Sequence, residues 1–162
     1  MSLLLSVRPA VAGDRDAVGR LGALLVAEHH DFDGKRFLSP TPDIAQRYGD
    51  FLISRSERSD TIVLVVELDG AVVGYAFAAI EGNDYMALRG PAGALYDLVV
   101  DPGNRRRGVG TKLLDASLDA LAKLGAPRVV LFTAEKNHDA QRMFEQAGFR
   151  RTMIEMTREL GR

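Results

Sequence analysis

Two β-branched, almost unbroken apolar runs, Thr61 to Leu68 and Ala71 to Ile80, flank the dipeptide Asp69-Gly70. Asp-Gly between two such runs is a strong hairpin signal, since a two-residue turn of this kind needs positive φ at both positions. A strand that is apolar on both faces reads as buried on both faces, so this hairpin predicts the middle of a sheet covered on each side. The remaining periodicities supply the covering layers. Asp14 is placed to cap a helix with Val18, Leu21, Leu24 and Leu25 on one face, fading into a polar, aromatic loop from His29 to Gly34. Thr41-Pro42-Asp43 predicts a second helix start, with Ile44, Tyr48, Phe51 and Leu52 as its apolar face. A third helix runs from about Gly108 to Leu124 and is stopped by Gly125 and Pro127; a fourth starts at Asn137 and ends at Gly148.

Further strands are expected at Leu3 to Val7, Ala94 to Val100 and Arg128 to Ala134, with one or two more in the tail from Phe149 to Leu160. Glu81 to Gly93 reads as a connecting loop. The order β-α-α-β-β-β-α-β-α-β is that of an α/β sandwich with a mixed sheet. The segment from Val100 to Val129 is a strand–helix–strand crossover, which should be parallel and right-handed.

At 162 residues the chain is about one domain, and residues 1–162 are read as a single unit. Net charge is −1, without the basic excess of a dedicated nucleic-acid binder. The absence of cysteine excludes disulfides, a thiol nucleophile and cysteine metal sites. Three histidines, at 29, 30 and 138, are too few and too badly spaced for a zinc site without carboxylate help, so no metal is expected. MSLLLSVRPA lacks the basic start and long apolar core of a signal peptide. The apolar runs fall far short of the roughly 18 residues that a membrane span needs. A cytoplasmic, soluble protein is the expectation.

The segment Asp101-Pro-Gly-Asn-Arg-Arg-Arg-Gly-Val-Gly-Thr-Lys112 lies between a strand and a helix. A helix start carries about half a positive charge and ordinarily attracts acids. Here Arg105, Arg106 and Arg107 precede it, Lys112 lies within it, and no acid follows until Asp115. A bound multivalent anion would relieve that repulsion, with glycines letting the backbone approach it; the plainer alternative is a solvated basic loop. The spacing is neither of two familiar phosphate loops. Val109-Gly110 replaces the Lys-Ser/Thr of a Walker A loop, and Leu113 stands where a dinucleotide fingerprint needs glycine.

Read with its flanks, Arg105-x-x-Gly108-x-Gly110 resembles the Gln/Arg-x-x-Gly-x-Gly/Ala signature of the GNAT superfamily of N-acetyltransferases, and Leu95 to Pro102 resembles the strand that precedes it. Asn137-x-x-Ala140-x-x-Met143-Phe144-x-x-x-Gly148-Phe149 is similar to a second element of that family. The resemblance covers nearly the whole chain. It implies a mixed, mostly antiparallel central sheet flanked by helices, with acetyl-CoA as co-substrate. It further implies that backbone N–H groups of Arg106, Arg107, Gly108, Val109, Gly110 and Thr111 bind the pyrophosphate beside Arg105. Backbone groups of Leu98, Val99 and Val100 would pair with the pantetheine arm, and Asn137 would bond the same arm. For Leu98 to Val100 a core-strand role is compatible with this, and for Asn137 a plain helix cap is the alternative.

Acetyl transfer to an amine needs a base, since a lysine-like amine has a reference pKa near ~10.4. It also needs a donor for the departing thiolate, and a strand N–H, that of Val99, to polarise the thioester oxygen. Asp97 is the candidate base, because Tyr96-Asp97-Leu98 is similar to the Glu-Asp-Leu of polyamine-type members; pairing with an arginine is the structural alternative, and Glu67 and Glu81 are weaker candidates. Many members carry their tyrosine acid where this chain has Phe144, so Tyr96, Tyr75 or water is the candidate replacement. His29, His30, Asp31 and Asp33 lie in the region that usually covers the acceptor, and are candidates for recognising a cationic amine. The expected enzyme acetylates a small-molecule amine, with a homodimer as the expected assembly. A protein acetyltransferase and a non-catalytic CoA-binding module remain open at this point.

Overall fold

A computed structural model describes residues 4–161. Its strands are β1 (Leu5–Pro9), β2 (Thr61–Leu68), β3 (Ala71–Glu81), β4 (Ala92–Val100) and β5 (Val129–Leu131). Its helices are α1 (Arg15–Phe32), α2 (Ile44–Ser56), α3 (Val109–Lys123) and α4 (His138–Gln146). The strands lie side by side in chain order, antiparallel except for the parallel β4–β5 pair. The Asp69-Gly70 turn has the two positive φ values, 50° and 85°, that its sequence asks for.

The β2–β3 hairpin is central, and each face of the sheet carries its own apolar cluster. Leu64, Val66, Ala76 and Leu95 pack with Leu113, Leu114 and Leu121 of α3 and Phe144 of α4. Val63, Val65, Tyr75, Phe77 and Val99 pack with Val18 and Leu21 of α1 and Leu52 of α2. Full burial of such side chains contributes about 1.5–3 kcal/mol each. Alternate residues of one strand feed opposite clusters, which is why both faces had to be apolar.

Glycines set how closely α1 and α2 approach. A Cβ on Gly19 would lie 2.2 Å from the Ala45 carbonyl oxygen, and one on Gly22 would lie 2.3 Å from the Tyr48 ring. Neither could be accommodated without moving backbone or ring. Gly22 therefore gives the Tyr48 ring its place between helix and sheet.

Several expectations from sequence are corrected. β1 is shifted to Leu5–Pro9, and Leu3 lies outside the described residues. The Asp14 carboxylate does not cap α1: it forms two hydrogen bonds to Arg8, at 2.7 and 2.9 Å, and accepts the Val11 N–H at 2.8 Å. An arginine fork outcompetes a neutral helix-end N–H for a carboxylate. α2 begins at Ile44, three residues after Thr41. His29 and His30 belong to the last turn of α1, where the His29 ring packs edge-on against Phe32 and Phe37. β5 keeps only three residues of the expected seven. The tail forms no strand: residues 149–161 are irregular, and Met153, Ile154, Met156 and Leu160 are exposed. Among the described residues, no strand pairs with it.

Candidate active site

The loop from β4 to α3 presents a run of unused donors. Among the described residues, none of the backbone N–H groups from Arg106 to Thr111 donates to a protein acceptor. Arg106 (φ 62°) and Gly108 (φ 77°) sit in the left-handed region on either side of Arg107. Such alternation turns successive N–H groups toward one point and forms an anion-binding concavity. Gly108 is the helix N-cap and has open space around it, so what demands glycine there is φ rather than crowding.

Two of the four cations are committed elsewhere. Arg105 donates from Nε to the Val100 carbonyl at 2.9 Å and from Nη2 to Glu28 at 2.7 Å. Lys112 turns its Nζ to the Leu5 carbonyl at 2.7 Å. Arg106 and Arg107 have no carboxylate within salt-bridge distance among the described residues, so the excess charge rests on them.

Strand β4 is paired on both sides only at its start. Gly93, Ala94 and Leu95 pair with Val129, Val130 and Leu131; beyond Leu95 the two strands part. The edge from Tyr96 to Val100 thus has β3 on one side and no strand on the other. The Asp101 N–H reaches Val73 of β3, whereas the Val100 carbonyl takes its bond from Arg105. Alternation along a strand then turns Leu98 and Val100 to the open side and Val99 toward β3. Asn137 lies past the end of β5. Its Oδ1 accepts the Ala140 N–H at 3.2 Å as a helix cap, and its amide NH₂ has no protein acceptor among the described residues.

A β-bulge interrupts the β3–β4 ladder: Phe77 faces Asp97 and Ala78 faces Leu95, leaving Tyr96 as the extra residue. Bulges re-aim side chains, and here the Tyr96 ring packs at 5.0 Å from Phe77. Asp97, only 9% exposed, accepts hydrogen bonds from Tyr75 at 2.8 Å and Tyr48 at 3.2 Å. Among the described residues no arginine pairs with it, so the ion-pair alternative is corrected. Burial holds the Asp97 carboxyl above the usual carboxylate range, while the two phenol bonds and nearby His29 pull it down. Tyr96 donates to Glu81; burial first, then that bond, pushes its hydroxyl up to about 12. Asp97 forms part of the wall of a cavity of about 450 Å³ between α2 and the sheet, with Tyr48, Phe51, Phe77 and Tyr96 around it.

Sequence reasoning missed Tyr48, which counted only as an apolar position of α2. Nothing local marks it, because its partner lies on β4. Tyr75 is core, as its strand position suggested, yet its hydroxyl is spent on Asp97. Phe144 is buried in the α3–α4 cluster with its ring against Phe149. Glu67 is engaged with Arg8, away from the cavity.

The fold is that of the GNAT acetyltransferases. The sequence matches the acetyltransferase (GNAT) family over residues 24–149, and the chain belongs to that family. It is 30% identical over 95 residues to a mycothiol acetyltransferase of Clavibacter michiganensis, a match that takes in 59% of this chain and 28% of that protein. The chain therefore spans well under two thirds of that relative's length. A mutant of the BH1408 protein from Bacillus halodurans superposes with a TM-score of 0.80, over 96% of this chain and 99% of that one, at 20% identity. An aminoglycoside N-acetyltransferase in complex with CoA gives 0.73 over 99% and 98%, at 17% identity. At these identities the structural likeness shows the fold. Among the described residues, no helix is long and apolar enough to cross a membrane, and no cluster of histidine and carboxylate side chains is placed to hold a metal.

Proposed function

We propose that this chain is an acetyl-CoA-dependent N-acetyltransferase acting on a primary amine of a small molecule. The observation that carries the reading is one continuous track: the unused N–H groups at the start of α3, the open edge of β4, then Asp97 in its cavity. The donor run fits a pyrophosphate, and the open edge fits an extended arm with amide groups, which would add to the sheet as a strand does. Arg106 to Thr111 hold the pyrophosphate in this reading, with Arg105 bracing the loop from behind. Leu98 and Val100 offer their open-side backbone groups to the arm, and Asn137 its free amide. Val99 packs beneath them; its N–H faces β3, so the thioester oxygen falls to Leu98 or Val100 instead.

Acetyl-CoA, when bound, supplies an acetyl group activated as a thioester. The chain's own residues handle protons. Asp97 takes the proton from the incoming amine, and its raised affinity for protons makes it a better base than an exposed carboxylate. Tyr48 and Tyr75 hold the carboxylate in place. Tyr96 keeps its proton through the neutral range and is the candidate donor on the cavity wall. A cavity of about 450 Å³ suits a small acceptor.

Calorimetry with acetyl-CoA, together with CoA release over a panel of amines and peptides, tests the reading. Micromolar binding, a raised melting temperature and turnover of small amines are expected. No binding at roughly millimolar acetyl-CoA would overturn it. A homodimer belongs to the same reading and is supported by the exposed Met153, Ile154, Met156 and Leu160 of the tail. Sedimentation of the full chain should give twice the monomer mass.

A further inference from the structure

The cavity beside Asp97 has a feature that amine chemistry does not use. Arg55, near the end of α2, points into it. Among the described residues the half-buried arginines are Arg8, Arg15, Arg55 and Arg89. Arg8 pairs with Asp14 and Glu67, Arg15 with Asp50, and Arg89 with Glu81. Among the described residues, Arg55 alone of these four has no carboxylate within salt-bridge distance, and its guanidinium makes no hydrogen bond to them. Its neighbour in the lining, Arg58, is neutralised by two bonds of 3.0 Å to Asp60.

A half-buried cation with no direct ion-pair partner loses solvation and gains little in return. The site nevertheless holds it in place. The guanidinium carbon lies 5.0 Å from the centre of the Phe51 ring, and Phe51 stands edge-on to Phe77 at 5.5 Å. Phe77 in turn meets Tyr96 at 5.0 Å. Three aromatic rings thus link the cation at one end of the cavity to the bulge that carries Asp97. Five N–H donors on a planar fork are suited to a carboxylate or phosphate.

We propose that the acceptor is an anionic arylalkyl amine: its amine meets Asp97, its apolar body lies along Phe51 and Phe77, and Arg55 binds a carboxylate or phosphate at its far end. This rests on the reading of Asp97 and its cavity as the acceptor site. It excludes polycationic acceptors as preferred substrates, since Arg55 would repel them.

Three matched acceptors test it: phenethylamine, 4-(2-aminoethyl)benzoate and tyramine phosphate. With CoA release as the readout, kcat/KM for the better anionic acceptor should exceed that of phenethylamine by roughly tenfold or more, the worth of a charged hydrogen-bonded pair. The two anions tell carboxylate from phosphate recognition. In Arg55→Met that ratio should collapse toward one, and in Arg55→Lys it should be partly kept, which separates charge recognition from damage to the fold. A ratio near one in the unmodified enzyme, or one that Arg55→Met leaves intact, overturns the proposal while acetyl transfer to phenethylamine keeps the enzyme reading standing. Should no amine release CoA, calorimetry with the same three compounds still decides the anion site. Tighter binding of an anionic compound that is lost in Arg55→Met supports it, and equal binding of all three by both proteins overturns it.

Discussion

The end and the middle of strand β4 are built in opposite ways. At its C-terminal end the loop into α3 is built from backbone: six consecutive unused N–H groups, two left-handed residues and one obligatory glycine, all within a short stretch of chain. Around Tyr96 and Asp97 the site is built from side chains that converge from α2, β3 and β4, mostly buried and hydrogen-bonded to one another. A backbone site tolerates most side chains but few backbone conformations. A side-chain site is the reverse, and each member depends on the packing of the element that carries it. The first should fail all at once when its conformation or charge is altered, and the second should fail by degrees.

Gly108→Asp should have the largest effect. It places a carboxylate at the anion position and a Cβ at φ 77°, a strain of roughly 1–2 kcal/mol, so acetyl-CoA binding should disappear in calorimetry while the circular dichroism spectrum persists. Normal binding would mean that the donor run is not the anion site.

Asp97→Asn should lower kcat by about 10²–10⁴-fold, the usual contribution of a general base, without changing the Kd for acetyl-CoA. Stability should move the other way. Because burial raises the carboxyl's pKa on folding, its favourable contribution is full below the unfolded value and is lost as pH rises through the folded one. Ionised Asp97 therefore opposes folding at neutral pH, and the asparagine variant should melt higher there. Wild-type rates at every pH would leave Asp97 a structural residue.

Tyr75→Phe sharpens the contrast within the buried half. The phenol bond lowers the pKa of Asp97, so its removal raises it. The acidic limb of the kcat/KM profile should shift to higher pH by up to about one unit, given a net hydrogen-bond worth of ~1 kcal/mol. A shift to lower pH, or none, would separate Tyr75 from the base.

Phe144→Tyr should do least to catalysis. The ring lies in the apolar cluster of α3 and α4, so an added hydroxyl has to find a partner there or cost roughly 1–3 kcal/mol, read as a lower denaturation midpoint. The rate should stay within twofold of the unmodified enzyme's, an effect of about 0.4 kcal/mol. A clear gain in kcat with little loss of stability would instead place this position beside the reacting group.

The hairpin at Asp69-Gly70, the periodic faces of α1 to α4 and the arginine–glycine loop were all legible, because each is a local pattern. Turn conformation, helical period and helix-end charge are properties of a few consecutive residues. The cavity beside Asp97 was half legible: Asp97 and Tyr96 stood out, whereas Tyr48 did not. The tail shows the opposite error, since Phe149 to Leu160 alternates apolar and polar residues in part yet pairs with no strand among the described residues.

The sequence by itself determined a covered hairpin, its helical layers and a glycine-containing helix start crowded with arginines, since these follow from what each segment can do alone. Only the tertiary structure decided that β4 and β5 part after Leu95, that Gly22 admits the Tyr48 ring, and that Asp97 meets two phenols rather than an arginine. Those outcomes depend on which distant side chains compete for the same buried space and the same hydrogen bonds. That competition is settled only when the layers pack.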